Sequence, residues 1–600
     1  MNWPVDRPFA GSEPARNRGA PVGLDVQPAL RFAAACRMRD THMIRSILVS
    51  AVAGMTLAAC ALAPHEADDA SPINPGNMSE TARVLSSDAF QGRAPGTEGE
   101  TKTVAYLIER FTDLGLEPGG RNGSWTDPVT LTHSQVTDVR ALNVRQGETV
   151  IDMEQARDIE ISSANPRETI TVRDAPVVFV GFGVSAPERN WDDFGDIDLH
   201  GKVALFLVND PDFGVAEDDP VNGVFGGRRM TYYGRWAYKF EEAARRGAVA
   251  ALVIHETKAA GYGWNVASSS PGENYAVTGK GAAAAHVDLQ GWLQEDMAKQ
   301  WVASAGYDLD ALRTAARKRD FKAFALGDLR FNADLSLSVE TSESQNVIGK
   351  ITGTTHPDET IMLSAHWDAY GIGAPDAEGR VVRPGANDDA LGIAGIMEIA
   401  RTLKAGPPPE RTVVFAAWTG EESGLLGSEA YAQDPIYPLE KTVANFTLDI
   451  LQTAGPARDV IQVGEGQSDL EERMAAAAAK QGRTVSPEGL PENGLFYRAD
   501  HFSLARRGVP VLLIMGIAGG SDLVDGGREA GDAWVADYIA HRYHNQYDAW
   551  DPDWDLRGAA QDVELFLDMT RDLANSTDWP QLKATSEFRD LREASAASRQ

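Results

Sequence analysis

From Gln345 onward the chain alternates short apolar runs with longer amphipathic stretches. The runs "NVIGKITG", "TIMLSAHWD", "TVVFAAWTGEE", "VANFTLDIL" and "VPVLLIMG" read as strands, and "DALGIAGIMEIARTLKAG" between them reads as a helix. Strands that are apolar almost throughout, separated by helices, predict a largely parallel sheet covered on both faces. Upstream, "TKTVAYLIERFTDLGLEPGG" has Val104, Leu107, Ile108 and Phe111 on one helical face and a glycine stop. The runs at 176–184, "PVVFVGFGV", and 202–208, "KVALFLV", read as strands, and "WAYKFEEAARRGAVAALVIHE" as helix, glycine, strand. Residues 165–325 carry their own strand and helix pattern, which predicts a separate inserted domain flanked by two parts of one larger domain, 79–164 and 326–585. There is no internal repeat, and "AAAAA" at 475–479 fits a helix.

The N-terminal portion follows a different grammar. "MIRSILVSAVAGMTLAAC", from Met43 to Cys60, has a basic start at Arg45, a short apolar core and small residues at its end, the form of a secretory signal. Leu57-Ala58-Ala59-Cys60 resembles a bacterial lipobox, which implies lipidation at Cys60; the alternative is a plain signal cut near Ala59 or Ala61. Residues 1–59 are therefore leader and signal, with Met43 the expected start, 60–78 a polar, proline-bearing tether, and 586–600 a polar tail. This places the mature protein outside the cytoplasm, in a bacterial cell envelope facing the periplasm, with a lipid as its only membrane attachment.

Composition narrows the chemistry. The 600 residues exceed one ordinary core, and no apolar run of membrane-spanning length occurs beyond the leader. A formal charge of -31 disfavours nucleic acid as partner. The two cysteines, Cys36 and Cys60, exclude a disulfide scaffold and a thiolate metal site in the mature chain, so any metal must be held by histidines and carboxylates.

Such residues end the candidate strands. The first strand ends in His366 and Asp368, the next in Glu421-Glu422, and a third in Asp449. "PGANDDALG" brings Asp388 and Asp389 to a helix start, and "HRYHNQYDAWD" offers His541 and His544. Each alone has a plain explanation: a polar strand end, an N-cap, a solvated pair. Together they would converge at one sheet edge, where ligands gather in such folds. Converging carboxylates repel one another unless a divalent cation sits among them, and imidazoles with carboxylates and no thiolate suit zinc ahead of manganese or cobalt.

The order His366-x-Asp368, Asp388, Glu421-Glu422, Asp449, His544 resembles the co-catalytic dizinc aminopeptidase family of the bacterial leucyl aminopeptidase type, whose relatives include glutamate carboxypeptidase, glutaminyl cyclase and transferrin receptor. "SSDAFQGRAPGTEGE" is similar to the family's opening segment and "FYRADHFSLARRGVP" to a segment before its last ligand. The block at 165–325 resembles the protease-associated domain of many members. The resemblance implies a zinc exopeptidase fold: a mixed, mostly parallel sheet sandwiched by helices, with an inserted β-rich α/β domain. It implies two zinc ions, one on His366 and Asp449, one on Glu422 and His544, bridged by Asp388. Asp368 would hydrogen-bond the far ring nitrogen of His366, and Glu421 would be the general base for a metal-bound hydroxide. His501 stands either as a substrate contact or as a structural residue, and His541 reads as structural. Two departures stand out: Leu391 where serine is frequent before the glycine, a packing position, and Asn545-Gln546-Tyr547 after the last ligand, at the substrate rim.

The implied activity is removal of N-terminal residues from peptides. The alternatives are dipeptidase or carboxypeptidase action, or a non-catalytic receptor or scaffold. A carboxypeptidase needs a cationic clamp for the substrate carboxylate, and the stretch after the "GVP" strand has no arginine until Arg528. Receptor relatives lose ligands, whereas all five ligand positions and the base are present here.

Overall fold

The computed structural model describes residues 71–599, apart from 166 and 279–285. The signal segment and Cys60 lie outside the described residues. The elements that matter below are, in chain order, helices α1 Pro75–Leu85 and α2 Glu98–Asp113; strands β1 Thr126–Gln146, β2 Ile159–Ser162, β3 Thr169–Phe179 and β4 Val203–Leu207; helix α3 Trp236–Arg245; strands β5 Ala250–His255, β6 Glu273–Val277, β7 Leu289–Gln294, β8 Phe324–Ile351 and β9 His356–His366; helix α4 Leu391–Lys404; strands β10 Arg411–Trp418 and β11 Thr442–Asp449; helix α5 Leu470–Lys480; strand β12 Val511–Met515; and helices α6 Gly527–His541, α7 Arg557–Ala574 and α8 Arg589–Ala594.

The strands hydrogen-bond in the order β12-β11-β9-β10-β8-β3-β4-β5-β7-β2. Pairs β12/β11, β11/β9 and β9/β10 are parallel, and β10/β8 is antiparallel. Strands β10, β11 and β12, and β9 from Thr360 onward, are buried throughout, as expected of a sheet covered on both faces. Helices α1, α4 and α7 pack together on one face, where Met78, Leu85, Ile393, Ile396, Val563 and Phe566 belong to one apolar cluster with β9 and β11. The parallel arrangement sets the site: consecutive strands point the same way, so their C-terminal residues gather at one edge.

The inserted block is less separate than its sequence pattern suggests. Strands β1 and β8 are long enough to run through both layers, and β8 pairs with β10 at one end and with β3 at the other. β2 pairs with β7, so the block's sheet begins before residue 165. One apolar cluster spans Val177, Leu205 and Leu252 of the block together with Met362, Ala416 and Leu513 of the larger sheet. A shared core, not a linker, joins the two parts.

Two terminal expectations are corrected. Residues 75–78 of the expected tether are the first turn of α1, capped by Asn74, whose side chain accepts from the Gly76 and Asn77 amides, with Ile73 and Met78 buried. The expected polar tail from 586 is structured: Phe588 is buried against Tyr232 and Phe502, and the Arg592 side chain is buried and donates to the Thr442 carbonyl. Glu587 accepts from the Tyr232 amide and the Tyr497 hydroxyl. A single aromatic and one arginine with a buried acceptor suffice to dock a segment whose average composition is polar.

Candidate active site

His366 is the last residue of β9 and Asp449 the last of β11, while Glu421 and Glu422 follow β10 by three and four residues. Register places His366 beside Trp418 and Asp449 beside Met515, so these ends are level across the sheet. Asp388 and Asp389 lie in the distorted turn Ala386–Ala390 that opens α4. Gly385 introduces that turn with a positive φ of 53°, and a Cβ there would strike the Asp388 carbonyl and Ala369. Gly392 answers a second steric demand, since a Cβ there would overlap the Asp389 carboxylate.

The geometry brings the five expected ligands together. His366 Nε2 is 3.1 Å from Asp388 Oδ1, and His544 Nε2 is 3.3 Å from Asp388 Oδ2 and 3.4 Å from Glu422 Oε2. Ligand atoms of His366, Asp388 and Asp449 all lie within 4.8 Å of one another, as do those of Asp388, Glu422 and His544. Asp388 is common to both groups, one oxygen facing each imidazole. Glu421 belongs to neither group: its Oε2 is 3.8 Å from His366 Nε2, and with Asp388, Glu422, Asp449 and His544 it lines a cavity of about 260 Å³.

The electrostatics are those of a cation site. Burial pushes Asp449 up to about 8, aided by Asp388, and pushes Glu421 and Glu422 well above the usual carboxylate range, aided by neighbouring acids. Burial opposes charge on His366, but Glu421, Asp368 and Asp388 overcome it and raise the imidazole well above its ordinary value. Asp388 is lowered, because the two imidazoles outweigh its burial. Acids packed this closely do not all ionise together unless a cation lies among them. Two imidazoles and three carboxylates in two groups sharing one carboxylate fit a pair of zinc ions, with His366, Asp388 and Asp449 around one and Asp388, Glu422 and His544 around the other.

Asp368 occupies its place differently from expectation. The hydrogen bond to His366 Nδ1, 3.1 Å, goes to the Asp368 backbone carbonyl, and its carboxylate is 3.7 Å away. The carbonyl is an acceptor, so Nδ1 carries a proton and Nε2 is the ring nitrogen left to serve as a ligand when a cation displaces its proton. The carboxylate instead accepts from the Glu421 and Glu422 amides at 3.1 and 3.4 Å, tying the turn after β10 to the end of β9. His501 is fully buried at the start of the short helix His501–Ala505, its ring edge-on to Phe496, and it is not among the residues lining the cavity, which favours the structural of its two readings. His541 lies on α6 beside Asp537, a turn earlier, with its side chain largely exposed.

Three residues not singled out in the sequence, together with Asp389, hold the site. The buried Arg93 donates to the carbonyls of Trp367 (2.7 Å), Pro384 (2.6 Å), Gly385 (2.7 Å) and Leu85 (2.9 Å), clamping the loop after β9 to the turn before α4. The Asp548 carboxylate accepts from the Asn387 and Asp388 amides. Asp389 accepts from the His366 amide at 3.1 Å and from the Gly392 amide at 3.0 Å. The Tyr370 hydroxyl is 2.9 Å from His544 Nδ1, which turns Nε2 toward Asp388. Arg93 lies in the opening segment and Tyr370 two positions past Asp368, but nothing in spacing alone shows which carbonyl or ring each would reach.

Cationic groups also reach the cavity, from parts of the chain away from the stretch after the "GVP" strand. Arg235, Arg498 and Arg506 line it, whereas Arg528 is engaged with Asp459 outside it. The sequence argument against a carboxylate clamp therefore fails, because tertiary structure supplies arginines that the linear window lacks.

Residues 346–567 match the model of peptidase family M28, a span that holds all five ligand positions and Glu421. The chain is 32% identical over 155 residues to aminopeptidase YwaD of Bacillus subtilis (strain 168), covering 25% of this chain and 31% of that protein. It is 30% identical over 168 residues to a glutamate carboxypeptidase 2 homolog of Caenorhabditis elegans, covering 25% of this chain and 20% of that protein. The chain thus spans less than a third of the length of these curated relatives. Among solved structures, an aminopeptidase from Aneurinibacillus sp. strain AM-1 superposes with a TM-score of 0.42 and 19% identity, covering 83% of this chain and 94% of that one.

Proposed function

We propose that this chain, whose residues 346–567 form a peptidase family M28 domain, is a zinc-dependent exopeptidase that removes N-terminal residues from peptides. The observation that carries the reading is the sharing of Asp388 between two buried ligand groups while an adjacent, unshared carboxylate, Glu421, faces the cavity. Two zinc ions in those groups would supply Lewis acidity and a water acidic enough to react near neutral pH. Glu421 would take a proton from the attacking water and return it to the leaving amine; its backbone amide is held by Asp368, which fixes the turn that carries it. Glu422, one residue on, cannot share the task, since a carboxylate bound to metal is a poor proton carrier. Asp388 and the two imidazoles hold the centre rigid, and Arg93 and Asp548 keep its two loops in register.

The same reading includes export and a lipid anchor at Cys60, supported by the signal pattern that ends there. The test of the activity is a panel of aminoacyl anilides, dipeptides and blocked peptides, with and without chelator, alongside zinc analysis of the purified protein. Close to two zincs per chain and chelator-sensitive release of N-terminal residues are expected. A protein that binds no zinc, or that cleaves no peptide when loaded, sinks the reading.

A further inference from the structure

The stretch Asn545-Gln546-Tyr547, which follows the last ligand, takes no part in either ligand group. Two of its side chains fasten a hairpin. Residues 371–383 fold back on themselves, with Gly371 paired to Arg383 and Ile372 to Val382, and the Gly373 amide donates to the Val381 carbonyl at 2.8 Å. Gln546 Nε2 donates to the Ala374 carbonyl at 2.9 Å, the Tyr547 hydroxyl donates to Glu378 at 2.7 Å, and the Arg380 guanidinium lies 3.9 Å over the Tyr547 ring. The base of the hairpin packs on the opening segment, where a Cβ on Gly92 would strike the carbonyls of Gly371 and Arg383. Tyr370, the residue before the hairpin, is the one that reaches His544.

Metal binding decides the direction of that contact. His544 Nε2 faces Asp388 and Glu422, so it is the nitrogen left for a cation, and Nδ1 carries the hydrogen and donates to the Tyr370 oxygen. The phenol's own hydrogen remains, and Glu422 accepts it. One hydroxyl thus holds both of the ligands that this group does not share with the other. His366 is held differently, by the backbone carbonyl of Asp368 just past the end of its own strand. That partner is fixed by the strand end, whereas the partner of His544 moves with the hairpin. His544 also needs holding. Its φ of 61° lies in the left-handed region, uncommon for a residue other than glycine, and helix α6 before it buries only Gly531 and Tyr538.

Resting on the two-zinc part of the peptidase reading, we propose that Tyr370 is a positioning residue for the zinc held by Asp388, Glu422 and His544, and that hairpin 371–383 sets its position, so that loading of this one zinc is coupled to the order of the hairpin. The coupling is reciprocal: if the ordered hairpin raises the affinity for zinc, zinc stabilises the ordered hairpin by the same factor. The contact at Tyr370 carries most of it, because the hydrogen bond of Tyr547, which is exposed, competes with water.

The test is a zinc titration against a chelator of known affinity, together with hydrogen exchange of residues 371–383 in the metal-free and loaded protein. Glu422→Gln identifies which of the two zinc constants belongs to this group. Tyr370→Phe, which removes the hydroxyl and keeps the ring, should weaken that constant by about 10–100-fold and leave the other unchanged. Excess zinc should then restore its kcat, with KM unaltered. Tyr547→Phe should weaken the same constant by less than about tenfold. In the parent, filling this group should slow exchange across 371–383, an arm that needs no variant, and Tyr370→Phe should reduce the slowing. Melting curves of the metal-free forms establish that the variants fold. Unchanged constants in Tyr370→Phe, an equal loss at both groups, or exchange at 371–383 that does not respond to zinc overturns the proposal. A parent that holds two zincs and cleaves no peptide overturns the peptidase reading and leaves the positioning role standing; a parent that binds no zinc overturns both.

Discussion

Replacing each of two neighbouring glutamates by glutamine separates base from ligand. Glu421 has its amide fixed by Asp368 and its carboxylate 3.8 Å from His366 Nε2, with 11% of the side chain exposed to the cavity. Glutamine fits the same space, so Glu421→Gln should keep both zincs. It cannot accept a proton, and general-base catalysis is worth about 10²–10⁴ in rate. That corresponds to roughly 2.7–5.5 kcal/mol of barrier, expected in kcat with KM little changed. The metal-free variant should also be more stable than the metal-free parent. Burial and the neighbouring acids raise the Glu421 carboxyl well above its usual range, and a neutral amide does not carry that cost of ionisation. Glu422→Gln acts on a group whose ligand atoms all lie within 4.8 Å and number only three. Losing one carboxylate should weaken that zinc by more than the 10–100-fold that outer hydrogen-bond partners are worth. The assay is zinc content, kcat and KM for both variants across a zinc titration, with melting curves of the metal-free forms. Added zinc should partly rescue Glu422→Gln and do nothing for Glu421→Gln. If Glu421→Gln loses metal while Glu422→Gln keeps it, the two roles are reversed; full activity in both removes the assignment of this site as the hydrolytic centre.

The pH dependence of the metal-free protein follows from the same crowding. Asp449 at about 8, with Glu421 and Glu422 also raised, means that the folded state binds more protons than the unfolded chain between about pH 4 and 8. Stability should therefore fall as pH rises through that window, and the raised His366 adds in the same direction. Zinc needs the deprotonated ligands, so the gain in melting temperature on adding zinc should grow from pH 5.5 to 8; a gain that shrinks over that range would falsify the ligand set. Phe588→Ala should cost about 3–5 kcal/mol, because the ring is buried against Tyr232 and Phe502; a melting temperature within a degree of the parent shows that the terminal segment is not docked. Cys60→Ala in a bacterial host should abolish acylation and release the protein in soluble form, and mass spectrometry of an unmodified N-terminus at another residue rejects the anchor.

Periodicity alone determined the parallel-sheet layer of this protein. Strands that are apolar throughout can only be buried on both faces, so β9, β10, β11 and β12 and the helix between Leu391 and Lys404 were legible from the sequence, as were the residues at their C-terminal ends. Parallel strands bring like ends together, which predicted one sheet edge for His366, Glu421-Glu422 and Asp449; the full set with Asp388 and His544 was what the family resemblance implied. What the sequence left open depends on direction and on distant neighbours. Asp368 holds His366 through its carbonyl because the chain turns after β9, and a turn's direction is a backbone property that residue type does not encode. Arg93 reaches carbonyls some 270 to 290 positions away, and Arg235 enters the cavity because β8 runs unbroken from the inserted block into the larger sheet. Terminal residues read as tether and tail are docked by Ile73, Met78 and Phe588, single apolar side chains whose effect is lost in a compositional average. Local pattern specifies which face of an element is buried; only the folded chain decides which side chain arrives opposite it, because that contact is set by the packing of elements remote in sequence.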